Sequence, residues 1–176
     1  MNRARFFLIL LSFLVFLNIT GLIYAESNYV LPYPSEMPGS RFYKAQEFVE
    51  KISKFWYFGN FGQFKYSLNN SDKYLVEAKT LFEYDQFLLG QNSLERSNNY
   101  FSFLSSYLEK AKKEGKDISL NADMLSSASQ KHIEVLKKIK KEVPIIVTWK
   151  PEKDVPTVIN LHDEIDEAIK VREKSL

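Results

Sequence analysis

The 176-residue chain has no cysteine and only two histidines, His132 and His162. Without thiols it has no disulfide, thiolate metal centre, cysteine nucleophile or lipid-modified cysteine. The histidines stand 30 positions apart, outside any HExxH arrangement, and each reads as a packed or solvated imidazole rather than a ligand. No GxSxG, SxxK or phosphate-cradling loop occurs; Gly59-Asn60-Phe61-Gly62 has too few glycines for that task and reads as an interhelical turn. An excess of one charge sign is also missing. Lys and Arg number 24 against 22 Asp and Glu, and Arg3 and Arg5 are the only charges in the first 25 residues, so the remainder is formally neutral. Such a balance disfavours nucleic acid as a partner, because phosphate binding relies on surplus cations. The expectation is a non-enzymatic protein with no catalytic residue, no cofactor and no metal site.

The N-terminus carries Arg3 and Arg5, an apolar run from Phe6 to Leu17 and a small residue at Ala25. This pattern predicts a secretory signal over residues 1–25. The alternative is an uncleaved anchor over Phe6 to Ala25, since about 20 apolar residues span a bilayer. Either reading places residues 26–176 outside the cytoplasm, as a secreted, periplasmic or cell-surface protein.

Residues 26–39 form an extended connector holding Pro32, Pro34 and Pro38, whose Tyr29, Leu31, Tyr33 and Met37 are expected to pack on the helices that follow. Residues 40–176 are one helical domain. Phe42, Ala45, Val49, Ile52 and Trp56 recur at three- and four-residue spacing and predict an inward stripe on a first helix ending near Gly59. Phe61, Phe64, Leu68, Ser71, Leu75, Ala78 and Phe82 predict a second, over about 63–88, with a weak turn at Asn69, Asn70 and Ser71 and a stop at Gly90. Asn92 and Glu95 have capping-pair spacing before a third helix over 93–114, closed by Gly115. A fourth spans about 120–142 with Met124, Leu125, Ala128, His132, Val135, Leu136 and Ile139 inward. Ile145 to Trp149 has strand composition without an obvious partner, so it is expected to lie across the helices with Trp149 as anchor, or to pair at an edge with Tyr29 to Leu31. Asn160 caps a last helix. The predicted fold class is all-α, an antiparallel bundle or elongated helical hairpin.

Three segments carry a resemblance: Leu31 to Pro34 with Met37-Pro38-Gly39, Trp56 to Tyr66, and Asp72 to Lys79. They look like an uncharacterised bacterial family of exported helical domains, a domain of unknown function, over about 30–90, with a faint return at 149–153. The resemblance implies an extracytoplasmic helical module and brings no reaction or catalytic residue.

Aromatic density is the other positive signal: twelve of the 38 residues from Tyr29 to Tyr66 are Phe, Tyr or Trp. Tyr43, Tyr57, Phe58 and Tyr66 fall off the main stripes, which predicts an interaction patch of Tyr43, Trp56, Tyr57, Phe58, Phe61 and Tyr66. Its expected partner is another protein or a second copy, with the chain acting as a scaffold; the alternative is a sensing module that binds a small molecule or an envelope polymer. Lys110, Lys112, Lys113 and Lys116, and Lys137, Lys138, Lys140 and Lys141, are two basic clusters that could touch anionic polymers or a membrane surface.

Overall fold

A computed structural model describes residues 28–151 and 155–176; the signal or anchor segment lies outside the described residues. The elements run α1 (Tyr43–Ser53), a 3₁₀ turn (Lys54–Trp56), α2 (Gly59–Glu83), α3 (Phe87–Ser102), α4 (Leu104–Lys113), α5 (Ser119–Glu142), β1 (Ile146–Trp149), β2 (Thr157–Asn160) and α6 (Leu161–Glu173). The all-α class therefore holds, with one two-stranded ribbon added. A helical hairpin of α2 and α3 forms the centre, α4 packs on α2, and α6 lies against α5 and α3.

Two apolar clusters fill the interior. One joins Leu75, Ala78 and Phe82 of α2 to Leu94, Ile133, Leu136, Ile139, Ile159, Leu161, Ile165 and Ala168. The other joins Phe64 and Leu68 of α2 to Phe101, Leu104, Leu108, Leu125 and Ala128. Along α2 the change from one to the other falls at Ser71 and Asp72, both buried.

α2 runs unbroken through Asn69 to Ser71, contrary to the predicted weak turn. The competing side chains find partners that leave the ladder intact: Asn70 Nδ2 donates to the Tyr66 carbonyl at 2.8 Å, and Ser71 Oγ crosses to the Ser97 carbonyl at 3.0 Å. The stop comes earlier than Gly90, at Tyr84 to Gln86, where Asp85 takes a left-handed φ of 57°. Gly90 lies inside α3, and a Cβ there would sit 2.6 Å from the Phe82 ring, so its smallness serves packing. Asn92 is likewise inside α3 and caps nothing, and the predicted third helix is divided at Phe103 into α3 and α4. Gly59 opens α2 with a φ of 68°, and Gly62 lets the helix approach Tyr57, whose carbonyl carbon would lie 2.7 Å from an added Cβ. The Gly59 to Gly62 turn is thus the first turn of a helix.

The segment from Ile145 has a partner that composition did not reveal. β1 pairs antiparallel with β2, with Val147 opposite Ile159 and Trp149 opposite Thr157. Val147 and Ile159 face the first cluster, whereas Trp149 stays 43% exposed and does not anchor the segment. Asn160 caps α6 as expected, accepting from the Asp163 amide at 3.3 Å. Of the connector, Leu31 packs on the first cluster and Tyr29 on the second, while Tyr33 points into solvent.

Candidate interaction surface

The largest departure from the sequence pattern is the direction α1 faces. No residue of α1 is buried, and the predicted inward stripe of Phe42, Ala45, Val49, Ile52 and Trp56 is exposed. Its polar side meets the body instead. Glu50 accepts hydrogen bonds from Lys73 Nζ at 2.7 Å and from the hydroxyls of Tyr74 and Tyr100 at 3.0 Å. Glu47 pairs with Arg96. Tyr43 donates to Glu77 Oε1 at 3.0 Å, and Ser93 donates to the same oxygen at 2.6 Å. Tyr66 donates to the Glu50 carbonyl at 3.2 Å.

The physical reason lies on α2 and α3, which offer α1 a row of hydroxyls and cations: Tyr66, Lys73, Tyr74, Arg96 and Tyr100. An apolar helix face laid there would bury these donors without partners, a cost of about 1–3 kcal/mol for each. Turning Glu47 and Glu50 inward satisfies them. Stacking holds the row in place, with Tyr74 parallel to Tyr100 at 5.9 Å and Tyr66 edge-on to Tyr100 at 5.8 Å. Burial and the Glu50 charge raise the Tyr74 pKa, and burial with the Tyr66 and Glu50 contacts raises that of Tyr100, so both remain hydrogen-bond donors. Burial works against the Arg96 charge, but the Glu47 hydrogen bond together with the electrostatic pull of Tyr43, Tyr74 and Glu47 overcomes it and lifts the guanidinium pKa.

The consequence is an outward apolar ridge. Phe48 is 63% exposed, Phe55 74%, Trp56 72% and Phe58 83%, beside exposed Phe42, Val49 and Ile52. Of the six residues predicted as a patch, Trp56 and Phe58 belong to this ridge. Tyr66 does not: it is 4% exposed, edge-on to Tyr100. Tyr43 is half-buried through its bond to Glu77, Tyr57 leans on Tyr66 at 5.5 Å, and Phe61 packs on the second cluster beneath Lys116. Phe42, Val49 and Ile52 were missed because an apolar stripe reads the same whether it faces core or solvent, and Phe48 and Phe55, which border that stripe, were not singled out by its spacing.

The sequence profile of a family described as a domain of unknown function (DUF5667) matches residues 35–145. The chain belongs to this family. The match runs from before α1 to the residue preceding β1, well past the segment 30–90 where the motif wording was recognisable. No curated protein and no solved structure matches the chain.

A second group of polar side chains gathers in the interior of this DUF5667 protein, with Asp72, Ser97, His132 and Arg172 buried and Tyr29 and Asn98 half-buried. His132 Nε2 meets Asp72 Oδ1 at 2.7 Å, and Asp72 Oδ2 accepts from the Tyr29 hydroxyl at 2.6 Å. Arg172 Nε donates to His132 Nδ1 at 3.4 Å, Nη2 donates to Ser97 Oγ at 2.7 Å, Nη1 donates to Asn98, and the guanidinium covers the Phe101 ring at 4.8 Å. Arginine can only donate, so His132 Nδ1 accepts and Nε2 carries the proton toward Asp72. Asp72 and His132 fall within the matched span, whereas Tyr29 and Arg172 come from the segments on either side of it. Burial pulls the Arg172 pKa down to about 9, still charged at neutral pH. His162 stands apart on α6, 3.4 Å from the Val143 carbonyl. Among the described residues no group of three or more His, Asp or Glu is placed to hold a metal ion.

Burial also lowers the His132 pKa, and the Asp72 hydrogen bond opposes that only in part. The folded state thus holds this proton less tightly than the unfolded chain, whose imidazole titrates near 6.5. Stability from neutral His132 is complete above that value and is lost as pH falls below it, at up to about 1.4 kcal/mol per pH unit. Denaturant midpoints measured between neutral and mildly acid pH should fall steeply for the wild type. They should fall less for His132→Gln, whose amide can bridge Asp72 and Arg172 without titrating.

Of the lysine clusters, Lys110, Lys112 and Lys113 occupy the last turn of α4, and Lys140 and Lys141 that of α5, where cations offset the macrodipole. Lys137, Lys140, Lys141, Val143, Pro144, Ile145 and His162 line an open hollow of about 600 Å³, with Lys140 tied to Asp166 at 2.6 Å.

Proposed function

We propose that this chain is an exported, non-enzymatic interaction module that docks through the outward ridge of α1 and the 3₁₀ turn. The supporting observation is that α1 spends its acids on the body and leaves Phe48, Phe55, Trp56 and Phe58 to solvent. Contiguous apolar surface of this kind is uncommon on a monomer and marks interaction sites. The buried Asp72–His132–Arg172 chain is read as structural, because its polar atoms are used on one another. Export rests on the basic and apolar start of the sequence.

The test is site-specific photocross-linking in intact cells. A cross-linking residue at Phe55 should form covalent adducts that the same residue at Glu134, exposed on α5, does not. Phe48→Ser with Trp56→Ser and Phe58→Ser should remove those adducts while leaving helicity unchanged. Equal adduct patterns at Phe55 and Glu134 would defeat the reading.

A second reading, a sensing or envelope-polymer-binding module, draws on the hollow between Lys137, Lys141 and His162. There the lysines suit an anionic polymer, and binding should weaken as salt screens them.

A further inference from the structure

The ridge of α1 is flanked by charge of one sign. Arg41, Lys44, Lys51 and Lys54 are all exposed, and among the described residues none of them pairs with an acid. The acids of α1 are Glu47 and Glu50, and both are engaged on the inner side, with Arg96 and with Lys73, Tyr74 and Tyr100. On the helix wheel Lys44 and Lys51 align two turns apart along one border of the apolar arc, beside Phe48 and Phe55, and Arg41 precedes the arc at its N-terminal end. The outer side thus combines bulky aromatic and aliphatic side chains with four cations and no carboxylate. It spans about 20 Å from Tyr43 to Trp56, at 1.5 Å per residue.

We infer that α1 and the 3₁₀ turn lie on an anionic lipid surface, Phe48, Val49, Ile52, Phe55 and Trp56 entering the headgroup boundary while Arg41, Lys44, Lys51 and Lys54 meet lipid phosphates. This rests on the reading of α1 as the docking face and names what it docks to. Three features of the ridge select lipid. An interfacial helix is defined by an apolar face bordered by Lys and Arg, with Trp and Phe at the boundary, and α1 has each of these. A second copy would bring four more cations and no acid to the contact, a like-charge juxtaposition that opposes pairing. Phe48, Phe55, Trp56 and Phe58 each keep more than half of their surface in solvent, so they can enter a fluid surface directly. α1 is too short and too charged to cross a bilayer, and no described helix is long and apolar enough to do so, so the contact is parallel to the membrane plane.

The full chain tests this, because Trp56 reports on α1 wherever the N-terminal segment goes. With Trp149→Phe, Trp56 is the only tryptophan, the chain having two in all. In phosphatidylcholine vesicles containing phosphatidylglycerol, Trp56 emission should shift to the blue and be quenched by brominated acyl chains. Quenching should be lost in phosphatidylcholine alone, at high salt, and in the combined Arg41→Glu, Lys44→Glu, Lys51→Glu and Lys54→Glu variant with unchanged helicity. Trp56 emission that ignores anionic vesicles overturns the lipid assignment. If cross-links from Phe55 to a protein or a second copy persist in that case, the ridge still docks and only its partner is wrong; if they too are absent, both readings fall.

Discussion

Replacing Arg172 with alanine should lower the unfolding free energy by about 3–5 kcal/mol, a large part of the 5–15 kcal/mol a domain of this size typically has. Arg172 is fully buried and serves His132, Ser97, Asn98 and the Ala168 carbonyl at once. Its removal leaves the Asp72 carboxylate without its nearest buried cation and strands the acceptor on His132. Arg172→Met keeps an apolar stem over Phe101, so the difference between the two variants isolates packing from charge. Combining Arg172→Met with Asp72→Asn should recover much of the loss, since neither charge then remains buried. Denaturant unfolding of the four proteins measures this. A loss below about 1 kcal/mol for Arg172→Ala would mean that water replaces the guanidinium, against the sealed geometry seen here.

Much of this interior was legible because apolar spacing is read by neighbouring helices in the same way the eye reads it. Leu68, Leu75, Phe82, Leu125, Ala128, Leu136 and Ile139 all sit where their period places them. Ser71 and His132 also fell on those stripes, and both are buried. Their meaning was not visible, because Asp72, Ser97 and Arg172 are remote in sequence and each resembles an ordinary solvated residue until the helices come together. β2 escaped for a similar reason: Thr157 to Asn160 is too short to announce itself without β1 beside it. The candidate patch was half legible. Aromatic density marked the segment that forms the exposed ridge, yet it could not separate Trp56 and Phe58, which face outward, from Tyr66, which stacks inside. What decides that separation is the polarity of the surface α1 lands on, and periodicity within α1 carries no information about it.

That same argument makes Glu50 the residue on which the outward pose depends. α1 buries no side chain, so its attachment rests on the bonds of Glu50 to Lys73, Tyr74 and Tyr100, with Glu47 and Tyr43 in support. Hydrogen bonds to a charged group are worth about 1.5–3 kcal/mol each, and Glu50→Ala removes several together. The free energy of opening α1 should fall by about 3 kcal/mol or more, which corresponds to backbone amides of α1 exchanging roughly 100-fold faster. The amides of α2, α3, α5 and α6 should keep their protection, because the two apolar clusters hold those elements without α1. Hydrogen exchange read by mass spectrometry on peptides from residues 42–56 and 64–82 separates local from global loss. Unchanged α1 protection in Glu50→Ala would place its attachment in the stems that pack around Tyr57 and Tyr66, not in the carboxylate. Enhanced exchange confined to α1 would establish that the ridge is turned outward by polar chemistry on its inner side.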